Sequence, residues 1–180
     1  VRSTTEAFWA FSLELFSRPG VEAACLTLQD DFGANVNIVL WSCWLPLAGY
    51  LPPGPEEISQ AVGAVAGWQR DVVVPIRQVR RNLKRDFSAH AEESLVSLRK
   101  RLQGAELQAE RLEQALILRA AAPRVASSGK GAAGLCGASA ALEAYLRCLA
   151  AADRCAARAA TARILDALAE DPPDPTCRPG

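Results

Sequence analysis

The chain has 180 residues, half of them apolar and 22% charged, which suits a soluble globular protein of one domain, or one domain with an appendage, with a real core. Its 20 basic and 20 acidic side chains cancel, yet residues 1–74 carry about −5 and residues 75–130 about +6. One histidine, His90, and six cysteines without a CxxC pair argue against a zinc site, and no apolar run reaches the roughly 20 residues that span a membrane.

Residues 3–16 are amphipathic and hold Glu6 and Glu14, unlike the basic-then-apolar start of a signal peptide. A cytoplasmic location is expected, and with it free thiols rather than a disulfide framework. Cys25 and Cys43 fall on apolar faces as small core residues, and Cys148 and Cys155, two helical turns apart, read as packing residues too.

Ser3 with Glu6 three residues later forms a capping-box pattern and opens a first helix, whose apolar stripe is Phe8, Phe11, Leu15 and Phe16 with Trp9 on the flank. Arg18-Pro19-Gly20 stops it. Val21, Cys25, Leu28 and Phe32 mark a second helix that Gly33 ends. Asn35 is a good N-cap for a third helix, apolar on nearly all sides through Leu47, which Pro46 is expected to kink or end near Leu45. Residues 49–55, GYLPPGP, read as a loop. Glu56 and Glu57 suit the first turn of a fourth helix with Ile58, Val62, Val65 and Trp68 or Gln69 inward. Pro75 biases Val74 away from helix, so a fifth helix is expected from Pro75 to about Phe87, with Ile76, Val79, Leu83 and Phe87 on one side. A long sixth helix follows over about 89–119, marked by Leu95, Leu98, Leu102, Leu107, Leu112 and Leu116.

The expected fold is all-α, a compact helical bundle around the buried third helix, with a long sixth helix and a C-terminal helical segment. Residues 1–120 form the helical core domain and residues 121–134 a flexible linker. Residues 135–170 form one or two alanine-rich helices, packed on the core or making a hairpin, and residues 171–180 are a proline-rich disordered tail.

Residues 8–45, FWAFSLELFSRPGVEAACLTLQDDFGANVNIVLWSCWL, together with VVVPIRQVRRNLK at 72–84 and ELQAERLE at 106–113, resemble a bacterial family known as domain of unknown function 2390. The likeness covers roughly residues 5–120, one domain-sized unit. It implies a helical bacterial cytoplasmic protein and no particular activity.

Arg77, Arg80, Arg81, Lys84 and Arg85 form the strongest candidate surface, a basic face opposite the apolar stripe of the fifth helix. Such a face can meet phosphates, an acidic protein or anionic headgroups, or pair within the chain with Asp30, Asp31, Glu56 or Glu57. Asp30, Asn35 and Asn37 form a polar knot at the mouth of the third helix, either structural caps or the polar end of a pocket lined by Trp41 and Trp44. Glu106, Glu110 and Glu113 share a face of the sixth helix, but a di-iron centre needs Glu-x-x-His motifs, so they are expected to be solvated or paired with arginines. His90 reads as exposed, and residues 127–134 lack the first glycine and the Ser/Thr of a phosphate loop.

The expected protein is non-enzymatic and needs no cofactor or metal. The leading reading is a protein-binding adaptor using the basic helix, and the alternative is a nucleic-acid-associated protein using the same arginines. A third is a small-molecule binder or enzyme with the Trp/Asn pocket. A homo-oligomer through the leucines of the sixth helix is the other expected assembly.

Overall fold

The computed structural model describes residues 3–87, 93–125, 134–149 and 154–170, and among these residues eight α-helices and one π-helical turn make up the helical structure. His90, Cys177, the proline-rich tail and all but the ends of the expected linker lie outside the described residues. The first helix, α1 (Thr4–Phe16), opens on a complete capping box: the Glu6 amide donates to Ser3 Oγ at 3.3 Å and the Ser3 amide donates to Glu6 Oε2 at 3.0 Å. Helix α2 (Val21–Phe32) ends on Gly33 at φ 66°, the left-handed conformation that glycine adopts without a Cβ penalty.

Helix α3 (Val36–Leu47) starts where Asn35 Oδ1 accepts from the amides of Asn37 at 2.9 Å and Ile38 at 3.3 Å. It continues past Pro46 to Leu47, two residues beyond the expected stop. Proline here sits in the last turn, where it removes one hydrogen bond and breaks no further turn. The Tyr50 amide reaches the Leu45 carbonyl at 2.9 Å and Gly49 takes φ 87°, so the freed carbonyls find partners in the loop.

Helix α4 (Pro55–Trp68) begins with proline in its first turn, and Glu57 Oε2 accepts from the Gly54 amide at 3.0 Å. Its buried residues are Ile58, Ala61 and Val65, with Val62 turned outward in place of Ala61. No break follows. A π-helical turn, Gln69–Val73, carries the chain directly into α5 (Val74–Asp86), with Val74 in helical conformation. The wider turn accommodates the proline ring, which explains why Pro75 does not end the helix. Helix α6 (Glu93–Ala120) returns antiparallel to α5, since Arg77 meets Glu110 while Arg80 meets Glu106.

The C-terminal segment forms α7 (Gly134–Cys148) and α8 (Arg154–Glu170). Helix α7 lies along α3 and α8 along α2, and the two pack on each other. Gly137 allows the close approach to α3, because a Cβ there would stand 2.8 Å from the Pro46 Cβ. Helix α3 is enclosed by α1, α2, α4, α6 and α7, and ten of its twelve residues are buried. Its core partners are Phe8, Phe11 and Leu15 of α1, Leu28 of α2, Ile117 of α6, and Leu142 of α7. Each such side chain removed from water contributes about 1.5–3 kcal/mol, so this region carries most of the fold's apolar stabilisation.

Cys25 and Cys43 are buried in this core, where burial pushes the Cys25 thiol up to about 12 and the Cys43 thiol in the same direction. Cys148 and Cys155 are exposed and stand on different helices, α7 and α8, so they are not packing residues and do not share the single helical register expected of them.

Candidate functional site

Helix α5 has no buried residue, and its half-buried positions include Arg77, Arg80 and Arg81 as well as Ile76 and Leu83. Val79 and Phe87 are nearly half exposed, whereas the Arg77 side chain is only 13% exposed. The reason lies on α6. Its inward line is Glu106, Ala109, Glu113, Gln114, Ile117 and Leu118, while Leu98, Leu107 and Leu112 face solvent. Carboxylates at the register of a core stripe demand cations opposite, and α5 rotates to supply them.

Arg77 is the hub. Its Nε donates to Glu106 Oε1 at 2.9 Å, its Nη2 to Glu110 Oε1 at 2.7 Å and its Nη1 to Gln29 Oε1 of α2. Arg80 adds a fork onto Glu106, through Nε to Oε2 and Nη2 to Oε1 at 3.3 Å. Arg81, half exposed, meets Asp30 at 3.2 Å, and Asp30 also accepts from Gln29 Nε2 at 2.9 Å. The Gln29 hydrogen bond and the charges of Arg81 and Arg77 hold the Asp30 carboxyl below its ordinary range. Arg85 turns away to Asp86 at 2.6 Å and Asn82 at 3.3 Å. Lys84 is exposed and has no ion pair among the described residues.

A second set of polar groups closes the network toward the core. Asn35 Nδ2 donates to Glu113 Oε1 at 3.0 Å and Asn37 Nδ2 to Glu113 Oε2 at 2.6 Å. Gln114 Nε2 donates to Ser12 Oγ and to Asn37 Oδ1, both at 2.9 Å. The Asn35 amide donates to the Tyr145 hydroxyl at 2.7 Å, tying α7 to the same cluster, and burial pushes that phenol up to about 12. Burial raises Glu113 above the ordinary glutamate range against the hydrogen bonds of Asn37 and Asn35, and raises Glu110 against the Arg77 charge. At Glu106 burial also pulls upward, but the hydrogen bonds and charges of Arg80 and Arg77 prevail and hold it low.

The structure therefore brings Asn35, Asn37, Arg77, Arg80, Arg81 and Lys84 around one cleft of about 500 Å³ between α1, α2, α3, α5 and α6, while Asp30 pairs with Arg81 without lining it. It leaves Arg85 outside, and it separates the tryptophans from the asparagines. Trp41 and Trp44 are core residues at 1% exposure, with Trp44 stacked on Phe8 at 5.1 Å, and neither lines this cleft. A largely apolar helix turns its largest side chains toward its neighbours and leaves only its first turns, Asn35, Val36, Asn37 and Leu40, at the cleft.

A smaller groove of about 280 Å³ opens between α5 and the first half of α6, lined by Arg80, Lys84, Val96, Arg99, Lys100 and Gln103. Arg99 and Lys100 were not among the expected site residues, although the run Arg99-Lys100-Arg101 is visible in the chain. Their alignment with Arg80 and Lys84 comes only from the antiparallel return of α6. Ser12 and Gln114 were missed as well; a glutamine beside Glu113, one turn before Ile117, is the trace they leave in the pattern.

Among the described residues, no group of three His, Cys, Asp or Glu side chains is placed to hold a metal, and no helix is long and apolar enough to cross a membrane. The family described as protein of unknown function, DUF2390, matches residues 7–117, and the chain belongs to that family. No curated protein and no solved structure matches the chain. The matched span holds both clefts, from α1 to most of α6.

Proposed function

We propose that this family member is a non-enzymatic helical adaptor that binds an acidic, partly apolar protein segment along the arm formed by α5 and the first half of α6. The observation that carries the proposal is the cationic groove: four of its six lining residues are Arg80, Lys84, Arg99 and Lys100, and none is a carboxylate. Lys84, Arg99 and Lys100 have no ion pair among the described residues, so their charge is directed at solvent. Val96 lies in the groove, and Val79, Phe87 and Leu98 stand exposed on the same arm. Interleaved aliphatic groups suit a peptide with both acidic and apolar side chains better than a phosphate backbone, for which stacking aromatics would be expected. A binding role rather than catalysis is supported by the commitment of Arg77, Glu106 and Glu110 to one another. The free, exposed thiols of Cys136 and Cys148 fit a reducing, cytoplasmic setting.

The structure also changes which residues test the idea. Reversing Arg80 or Arg81 would break the pairs with Glu106 and Asp30, so loss of binding would be confounded with loss of fold. Lys84→Glu with Lys100→Glu touches no internal pair among the described residues. The expected result is a stoichiometric protein that co-purifies with the tagged wild type after nuclease treatment and is lost from this double variant at unchanged helicity. Nucleic acid alone, released steeply with salt, would instead favour phosphate binding by the same cations. A second copy of the chain as the only retained protein, with a doubled mass in light scattering, would assign the face to self-association through Leu98, Leu107 and Leu112.

A further inference from the structure

The larger cleft has a separate chemistry, and it is read from which hydrogen-bonding atoms remain unused. At its floor the donors are spent. Both N–H groups of Gln114 are taken, by Ser12 Oγ and Asn37 Oδ1 at 2.9 Å each. Asn37 Nδ2 goes to Glu113 at 2.6 Å and more weakly to the Glu110 carbonyl at 3.5 Å, while the Ser12 hydroxyl donates to the Phe8 carbonyl at 2.8 Å. The acceptors are not spent. Gln114 is 0% exposed, and its Oε1 has no hydrogen-bond partner among the described residues. Gln69 lines the same cleft, and its Oε1 is likewise buried and unpartnered. Two orphaned amide oxygens, buried on residues that line one cleft, are unusual, because buried acceptors are costly to leave unmatched. Gln69 stands at the start of the π-helical turn, a feature that recurs at functional sites.

The walls are apolar. Trp9 and Phe16 of α1 and Leu26 of α2, all partly exposed, face the opening. The cations on the other side are mostly neutralised, Arg77 and Arg80 by Glu106 and Glu110, and Arg81 by Asp30. A cleft of about 500 Å³ falls in the size range that encloses a small organic molecule. Surplus acceptors call for a ligand with N–H donors, and apolar walls call for a hydrocarbon or aromatic body.

We infer that this cleft binds a small apolar amine, its N–H groups directed at the unpartnered oxygens of Gln69 and Gln114 and its body against Trp9, Phe16 and Leu26. The cleft shares Arg80, Lys84 and Gln103 with the groove between α5 and α6, but Gln69, Gln114, Trp9, Phe16 and Leu26 lie only in the larger cleft, so the inference does not depend on the groove's partner.

The test is calorimetric titration of the full chain with three probes that share a phenyl ring and differ in the head group: 2-phenylethylamine, 2-phenylethanol and 3-phenylpropanoate. The expected order is amine tightest, by about tenfold over the alcohol, the ratio that one hydrogen bond to a charged donor supplies. Gln69→Met, on the wall, and Gln114→Met, on the floor, are each expected to cost the amine about tenfold and the alcohol little. Leu26→Trp fills the cleft without touching a polar group and is expected to abolish binding, which keeps the test open if Gln114→Met does not fold. Tighter binding of the carboxylate would mean that Lys84 and the arginines select the ligand, and would overturn the proposal. Equal binding of amine and alcohol, no binding of any probe at about 1 mM, or amine binding that survives Leu26→Trp would overturn it as well.

Discussion

Helices α3 and α5 are nearly equal in length, twelve and thirteen residues, and ten residues of one are buried while none of the other is. The first is held by apolar contact on all sides. The second is held by Arg77 and Arg80 reaching Glu106 and Glu110 across an antiparallel pair, with Val79 nearly half exposed. One helix follows the rule that apolar residues turn inward, and the other, with Ile76 and Leu83 only half-buried, also turns arginines inward because its neighbour presents carboxylates. What differs between them is the partner, and that has consequences for stability and for pH response.

The largest expected effect separates the two regions by truncation. Phe8→Ala removes a ring that is 0% exposed and stacked on Trp44, and should cost about 3–5 kcal/mol. Val79→Ala on α5 removes apolar atoms from a residue 48% exposed and should change stability by no more than about 0.5 kcal/mol. Urea denaturation of both variants measures this directly. A Val79→Ala loss approaching that of Phe8→Ala would mean that α5 is packed in solution by its apolar side.

Next in size is the ionic clamp. Glu106→Ala leaves Arg80 without its carboxylate and Arg77 with Glu110 and Gln29. Breaking a fully buried pair costs about 3–5 kcal/mol, but Arg80 is a third exposed and Arg77 keeps a partner, so about 2–3 kcal/mol is expected. Methionine at 77, 80 and 106 together should recover most of that loss, since an apolar replacement leaves no uncompensated charge. Unchanged stability in Glu106→Ala would sink the view that ion pairing sets the rotation of α5.

The two helices also differ in how far they can be read from the chain. For α3 every cue is local: Asn35 caps it, its apolar run has no polar side, and it ends within two residues of Pro46. The all-α class, the central third helix and the long sixth helix follow from cues of this kind. For α5 the local cue misleads. Ile76, Val79, Leu83 and Phe87 make a regular stripe, but which stripe turns inward is decided by Glu106 and Glu110, roughly 30 residues away in the chain. The leucines of α6 mislead in the same way, because Leu98, Leu107 and Leu112 lie off the line of Glu106, Glu113 and Ile117. Residue type alone was enough to select Arg77, Arg80, Arg81, Asn35 and Asn37. Their division into a clamp, a capping cluster and a cationic groove depends on the return of α6, which no single segment encodes.

The smallest and most discriminating effect is the pH dependence of two glutamates on that one helix. Glu113, among Asn35, Asn37 and the core, has its carboxyl raised by burial, so the folded state holds its proton more tightly than the unfolded chain does. Its contribution is greatest below the ordinary glutamate value of about 4.3 and is lost as pH rises through the folded value above it. Glu106, two turns earlier and clamped by Arg80 and Arg77, is lowered overall despite burial, so its contribution is present above about 4.3 and is lost as pH falls through the folded value below it. The stability difference between wild type and Glu113→Gln should therefore shrink on going from acid toward neutral pH, and that between wild type and Glu106→Gln should shrink in the opposite direction. Each unit of displacement is worth about 1.4 kcal/mol, which denaturation between about pH 3 and 7 resolves. Parallel slopes for the two variants would mean that the clamp and the capping cluster titrate as a single network rather than as the ionic edge of one region and the buried edge of the other.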